Sequence, residues 1–383
     1  MFKGIKIAYS IISAVFCTAL MIFLPSSCSI DEDLHPCPRG LDLHFVFDHH
    51  LEGWSSDVTG ESALAELPNV FNPQVHCYTL YVYNEEGELI KRFVETGERI
   101  RSNHYHLKID LPHGTYKIRA FGGTGCDARS FQLLQKTDGS LSPLEADEPH
   151  NVAGLYSELV YDKSQMTSDK LLHDFYYAYG FDDQPLAETE IVVDGEMYKP
   201  HTLRFMRNTN AVRVMMQQTL SVLDENGNPV DQLVPIDAED YLIRIVDYNT
   251  LLDQANQRVT TGNPSQDMIT YYPWITGNAG LETKADVEKG LMATADLSVS
   301  RLFADTEGRL QILSRNGQNI LMDMPLSYFQ LSKPAQLKNM SAQEYLDRQK
   351  YWNVTFIRAS KDLWTSAKII INGWTVRNND VDF

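Results

Sequence analysis

The chain is short of basic side chains: 33 Lys and Arg stand against 51 Asp and Glu over 383 residues, a formal charge of −18. So acidic a surface argues against nucleic acid as a partner, because phosphate binding relies on Lys and Arg. It also disfavours lying flat on an anionic membrane. Sustained helical periodicity is rare, and no solenoid repeat, heptad run or low-complexity tract is present. No Gly-x-Ser-x-Gly elbow appears. Gly122-Gly123-Thr124-Gly125 lacks the Lys-Ser/Thr of a phosphate loop. Asp224-Glu225-Asn226-Gly227-Asn228 has Pro229 where a calcium loop needs Gly, and it lacks the distal Glu, so it reads as a turn. Acidic residues are plentiful, but nothing singles out a catalytic pair, so an enzyme is not expected and no small-molecule substrate or cofactor is indicated. Hydrophobic content of 43% with 22% charged residues is ordinary for globular protein, and the length favours two domains.

The start of the chain has a pattern of its own. Lys3 and Lys6 precede an apolar run over residues 7–24, which ends in Pro25-Ser26-Ser27-Cys28 and then the acidic patch Asp31-Glu32-Asp33. The run is near the length that spans a bilayer, so composition alone allows an uncleaved anchor. The small residues and cysteine at its exit instead resemble a bacterial lipoprotein signal, cut before Cys28, whose thiol takes the lipid. Pro25 stands where that pattern has Leu, with Leu24 one position back. Cleavage removes two lysines and no acid, leaving 31 basic and 51 acidic side chains, a net of −20. Residues 28–39 then form an acidic tether. Asp31, Glu32 and Asp33 read either as a solvated spacer or, by resemblance, as the signal that sends such lipoproteins to the outer face of the outer membrane.

Of five cysteines, Cys17 leaves with the signal and Cys28 is lipidated, so Cys37, Cys77 and Cys126 remain. An odd number in an oxidising compartment allows one disulfide and one free thiol, with no pair singled out. Alternatively all three are buried small apolar side chains.

Beyond the tether the pattern is that of strands. Leu41, Leu43, Phe45 and Phe47 alternate with Asp42, His44 and Asp48, the period of a half-buried strand. Residues 76–83 are rich in aromatic and β-branched side chains and turn through 84–87 into 88–95, a hairpin. Further strands are expected at 105–111 and 115–121. From 122 to 183 the signals are irregular, with a helix expected over 168–180. Strands return at 190–193, 201–205 and 211–217, with a domain boundary near 185–200. Residues 296–303, 309–314 and 318–326 read as a three-stranded meander, its second turn marked by Asn316-Gly317. Ser341 and Glu344 form a capping box for a short helix. Strands at 351–358 and 366–377 close the chain. Many short strands with turns between them indicate β-sandwich domains.

Four stretches, in order, resemble the FimB-type fimbrial anchor subunit family, the major and minor fimbria anchor lipoproteins. They are CPRGLDLHFVFDHH (37–50), CYTLYVYNEEGELI (77–90), TLRFMRNTNAVRVMM (202–216), and EYLDRQKYWNVTFI (344–357) with KIIINGWTVRNND (368–380). The resemblance implies an all-β chain of two tandem transthyretin-like antiparallel β-sandwich domains with minor helices, over 40–195 and 196–383. It implies a non-catalytic lipoprotein, attached to outer-membrane lipid through acylated Cys28 and exposed at the cell surface. There it would form the base of a fimbrium and limit its length. Fimbrial shaft subunits would be its partners, joined where a strand of one subunit completes the sheet of its neighbour. The last strand is one place for that junction, with Ile369, Ile371 and Trp374; the plainer expectation makes it the final core strand. The alternative from another class is a surface lipoprotein adhesin or glycan-binding module without a fimbrial shaft. The 19 Tyr and 5 Trp would suit carbohydrate stacking, although in β-sandwiches such rings more often fill the core. His104 and His106 stand two apart on one strand face, a spacing compatible with metal. With no further ligand motif they read as exposed strand histidines, and no metal is expected.

Overall fold

The computed structural model describes residues 39–47, 51–52, 65–66, 75–102, 104–123, 130–145, 150–181, 184–185, 190–260, 262–263, 267–279, 290–349, 351–359 and 367–377. It is an all-β structure in several sheets. The first sheet runs, in spatial order, Leu89–Thr96, Cys77–Tyr83, Gly114–Gly123, Phe175–Phe181, Tyr198–Arg207, Gly40–Phe47, His106–Asp110. Its pairs are antiparallel except Gly40–Phe47 with Tyr198–Arg207, which is parallel. The alternation at its start works as the sequence reads: Leu41, Leu43 and Phe45 are buried while Asp42 and His44 face outward. Flat, Phe45 and Tyr78 would stand about 19 Å apart across four strand spacings. Their ring centroids are 4.8 Å apart. The sheet is therefore folded over on itself, closing a core around Leu80, Val82, Ile118, Leu203 and Phe205.

The other face of the same strands carries Tyr81, Tyr83, Phe121 and Tyr177, which belong to a second core. A four-stranded sheet covers part of it, ordered Leu251–Leu252, Leu155–Leu159, Phe131–Thr137, Ser140–Pro143. Strands buried on both faces lose their alternation and read as continuous apolar runs. That explains the one helix that fails: within the stretch expected as a helix over 168–180, Phe175–Phe181 is a strand, paired on both sides and buried along most of its length.

Beyond Asn208 the chain passes into a sandwich. One layer is Ile275–Ala279, Met292–Ser300, Thr209–Leu223, Tyr351–Ala359, Lys368–Ile371, Trp374–Arg377, with Pro229–Val234 on the far half of Thr209–Leu223. The facing layer is Thr167–Ser168, Ile269–Tyr271, Tyr241–Asp247, Arg309–Ser314, Ile320–Pro325. Val214, Met216, Leu297, Val354 and Phe356 meet Ile243, Ile245, Leu310, Ile312 and Met322 between the layers. The expected meander is not formed. Met292–Ser300 pairs with Thr209–Leu223, whereas Arg309–Ser314 pairs with Tyr241–Asp247 in the opposite layer. The connection crosses the sandwich, so the apolar run continues past the strand's end through Leu302 and Phe303. The expected strand at 366–377 is also divided. Asn372 (φ 49°) and Gly373 (φ 81°) make a two-residue turn with both residues left-handed, and the chain doubles back. Asp224–Asn228 is a turn as expected, its Asp224 Oδ1 accepting from the N–H groups of Asn226 and Asn228 at 2.8 Å. Ser341 caps the helix Ala342–Arg348 by accepting from the Glu344 N–H.

The turn at 253–257 ties the two groups of sheets together. Buried Arg119, from the first sheet, donates from Nε to the Gln254 carbonyl at 2.9 Å, and the Tyr177 hydroxyl donates to the same oxygen at 2.9 Å. Asn208, where the chain changes sheet, exchanges side-chain hydrogen bonds with Asn256 at 2.7 and 3.0 Å. The changeover falls downstream of residue 195, because Tyr198–Arg207 is committed to the first sheet by both of its neighbours.

Asp247 gives the fold a pH dependence. It is fully buried, accepting from the Thr306 hydroxyl and from the Tyr248 N–H at 2.9 Å. A side chain at Gly308 would press within 2.7 Å of its oxygen. Loss of hydration pushes its carboxyl up from 3.8 to about 6, against the opposing effect of those hydrogen bonds. The folded protein thus holds this proton where the unfolded chain has released it, so stability falls as pH rises from about 4 to about 6. The loss is on the order of 3 kcal/mol and persists above that window. Asp247→Asn keeps the accepting oxygen without the charge. Denaturant titration should find it more stable than the parent at pH 7.5 by about 1–3 kcal/mol and close to it at pH 4. An equal difference at both pH values would refute the assignment.

Candidate functional site

A protein that joins neighbours by strand addition must offer an unpaired strand edge with apolar side chains beside it. The seven-stranded layer has two such ends. At one, Trp374–Arg377 pairs only with Lys368–Ile371 among the described residues. Trp374 is 47% exposed, while Val376 turns inward. At the other end, Ile275–Ala279 pairs only with Met292–Ser300 among the described residues, and Trp274 and Ile275 are exposed. Each edge therefore presents a tryptophan to solvent. Between them, the hairpin of Gln218–Leu223 with Pro229–Val234 leaves Leu220, Leu223, Val230 and Leu233 exposed.

The three residues expected at the junction separate. Ile369 and Ile371 are fully buried, opposite Phe356 and Val354 in the register. They are core, as the plainer expectation has it. Trp374 alone stands at the surface, because the Asn372-Gly373 turn carries it out to the edge strand. Nothing in the sequence distinguishes the exposed apolar residues of 218–234 or 274–275 from core residues, since exposure depends on which strands lie alongside.

Cys77 is disulfide-bonded. Its bonding partner lies outside the described residues, as do Cys28, Asp31, Glu32, Asp33, Cys37 and Cys126. Among the histidines, His106 meets His44 rather than His104. The two pair directly across neighbouring strands, with rings stacked at 5.5 Å. His104 precedes the strand, where its backbone N–H donates to Ser102 Oγ at 3.3 Å. Among the described residues no helix is long and apolar enough to cross a membrane.

The model of a family described as fimbrillin-A associated anchor proteins Mfa1 and Mfa2 matches residues 34–380. A candidate adhesin from Bacteroides thetaiotaomicron is 29% identical with a TM-score of 0.66, over 90% of this chain and 99% of that one. A structure of candidate polysaccharide-binding proteins from the same species gives 23% and 0.63, over 88% and 97% of the two chains. The fimbrial anchor protein Mfa2 from Porphyromonas gingivalis gives 15% and 0.55, over 89% and 100%. At the last two identities the likeness is one of fold. No curated protein sequence matches the chain.

Proposed function

From the premise that this chain belongs to the family of fimbrillin-A associated anchor proteins, we propose that it is the lipid-attached base of a fimbrium, a structural subunit without catalytic activity. It sits on the outer face of the outer membrane through acylated Cys28, with Asp31, Glu32 and Asp33 as the sorting signal, and it limits fimbrial length by occupying the end of the shaft. The sheet groups on either side of Asn208 serve as its two tandem sandwich domains. The observation that supports the shaft contact is the edge strand Trp374–Arg377, which pairs on one side only among the described residues, with its exposed tryptophan. An added strand would pair along that edge and cover the indole.

For the Cys77 bridge the reading favours Cys126. It follows by three residues Gly123, which stands opposite Cys77. Cys37 precedes the Gly40 end of its strand, and the register puts that end at the far side of the sheet.

A photoreactive amino acid at position 374 tests the junction on intact cells. It should trap a shaft subunit, while the same probe at Met197, 78% exposed in the other sheet group, should not. Equal trapping at the two positions, or none at 374, would remove the edge from the account. The adhesin reading draws on the candidate adhesin at 29% identity. It would be favoured if the soluble body bound a glycan array and no shaft subunit were recovered.

A further inference from the structure

The geometry points to a binding site for a divalent transition metal of the zinc class, formed by Asp42, His44 and His106 on the outer face of the first sheet. One ligand atom from each of these side chains lies within 4.8 Å of the other two. The cluster is a product of strand register. His44 and His106 are directly opposed on neighbouring antiparallel strands, and Asp42 is two residues from His44, hence on the same face.

Asp42 Oδ1 is 2.6 Å from His106 Nδ1, a hydrogen-bonded contact whose proton an entering ion would replace, drawing both atoms onto the metal. His44 lies against His106 with ring centroids 5.5 Å apart and 16° between their planes, so turning one imidazole about its side-chain torsions brings both nitrogens onto a shared ion. The cation that stands nearest in the register is held elsewhere. Lys108 lies opposite Asp42, but its ammonium sits 5.2 Å over the Tyr198 ring, and the Tyr198 hydroxyl donates to Asp110. Tetrahedral ligands at about 2.1 Å from a metal are about 3.4 Å apart, so small side-chain rotations close the site. Both histidines are exposed, which gives an ion entry from solvent and leaves a coordination position for water or a group on a neighbouring molecule. Two imidazoles and one carboxylate suit Zn²⁺, Ni²⁺ or Cu²⁺ and disfavour the all-oxygen preference of Ca²⁺ and Mg²⁺.

The test is calorimetric titration of untagged, chelator-treated protein, its free thiols alkylated, with Zn²⁺ and separately with Mg²⁺. One Zn²⁺ per chain and no Mg²⁺ binding are expected. His44→Ala and His106→Ala should each weaken Zn²⁺ binding at least tenfold. His104→Ala, a nearby histidine outside the cluster, should bind as the parent does. Melting temperatures measured without metal establish that the variants are folded, as substitutions at exposed positions should be. The proposal is overturned if no stoichiometric Zn²⁺ binding occurs, if either cluster variant binds like the parent, or if His104→Ala is as impaired as they are.

Discussion

Asp347→Ala should lower the unfolding free energy by about 3–5 kcal/mol, because it strands a buried guanidinium. Asp347 and Arg301 are 4% and 5% exposed and pair in bidentate fashion, Nε to Oδ1 and Nη2 to Oδ2, each at 2.7 Å. The site is crowded with further polar contacts. Gln343 donates to Asp347 Oδ1 at 3.0 Å, and Arg301 Nη1 donates to the Asn256 carbonyl. The guanidinium also lies 4.8 Å over the Phe303 ring. Arg301 begins the connection that crosses the sandwich, Asp347 belongs to the helix Ala342–Arg348, and Asn256 belongs to the turn clasped by Arg119, Tyr177 and Asn208. One ion pair thus joins three separate parts of the chain. Removing both charges is a different perturbation, since an apolar pair of similar volume no longer leaves a lone charge in the interior. Urea unfolding should therefore find Arg301→Met/Asp347→Leu less damaged than Asp347→Ala alone. A loss below about 1 kcal/mol for Asp347→Ala would show that water reaches the pair.

Much of this architecture is legible in the sequence where strands are covered on one face only. Leu41, Leu43 and Phe45 declare their strand by alternation, and Asn316-Gly317 declares its hairpin. Legibility fails where burial is two-sided, as at Phe175–Phe181, or where consecutive strands enter different layers, as on either side of Arg301. The same turn chemistry at Asn372-Gly373 is overshadowed by the apolar residues around it. Parallel pairs are still less visible. Gly40–Phe47 lies beside Tyr198–Arg207, and no local pattern announces a partner so distant along the chain. The candidate sites follow this rule. Trp374 is recognisable as an aromatic near the end of the chain, but its exposure depends on a turn and on the strand order. The His44–His106 pair arises from register, whereas sequence spacing favours His104 with His106.

In the proposed anchor role, Cys28→Ser should have the largest effect on the cell. A single acyl chain binds a membrane marginally, and each buried methylene adds about 0.8 kcal/mol, so several chains on one cysteine are needed to resist pull on a filament. Serine offers no thiol for that linkage, and position 28 precedes every described strand, so the folded body and its edge strand should be retained. The decisive measurement is the distribution of fimbriae between cells and medium in a strain carrying only the Cys28→Ser protein. The anchor account predicts fimbriae shed into the medium with the folded variant still bound to them; fimbriae that remain on the cells as in the parent strain would contradict it.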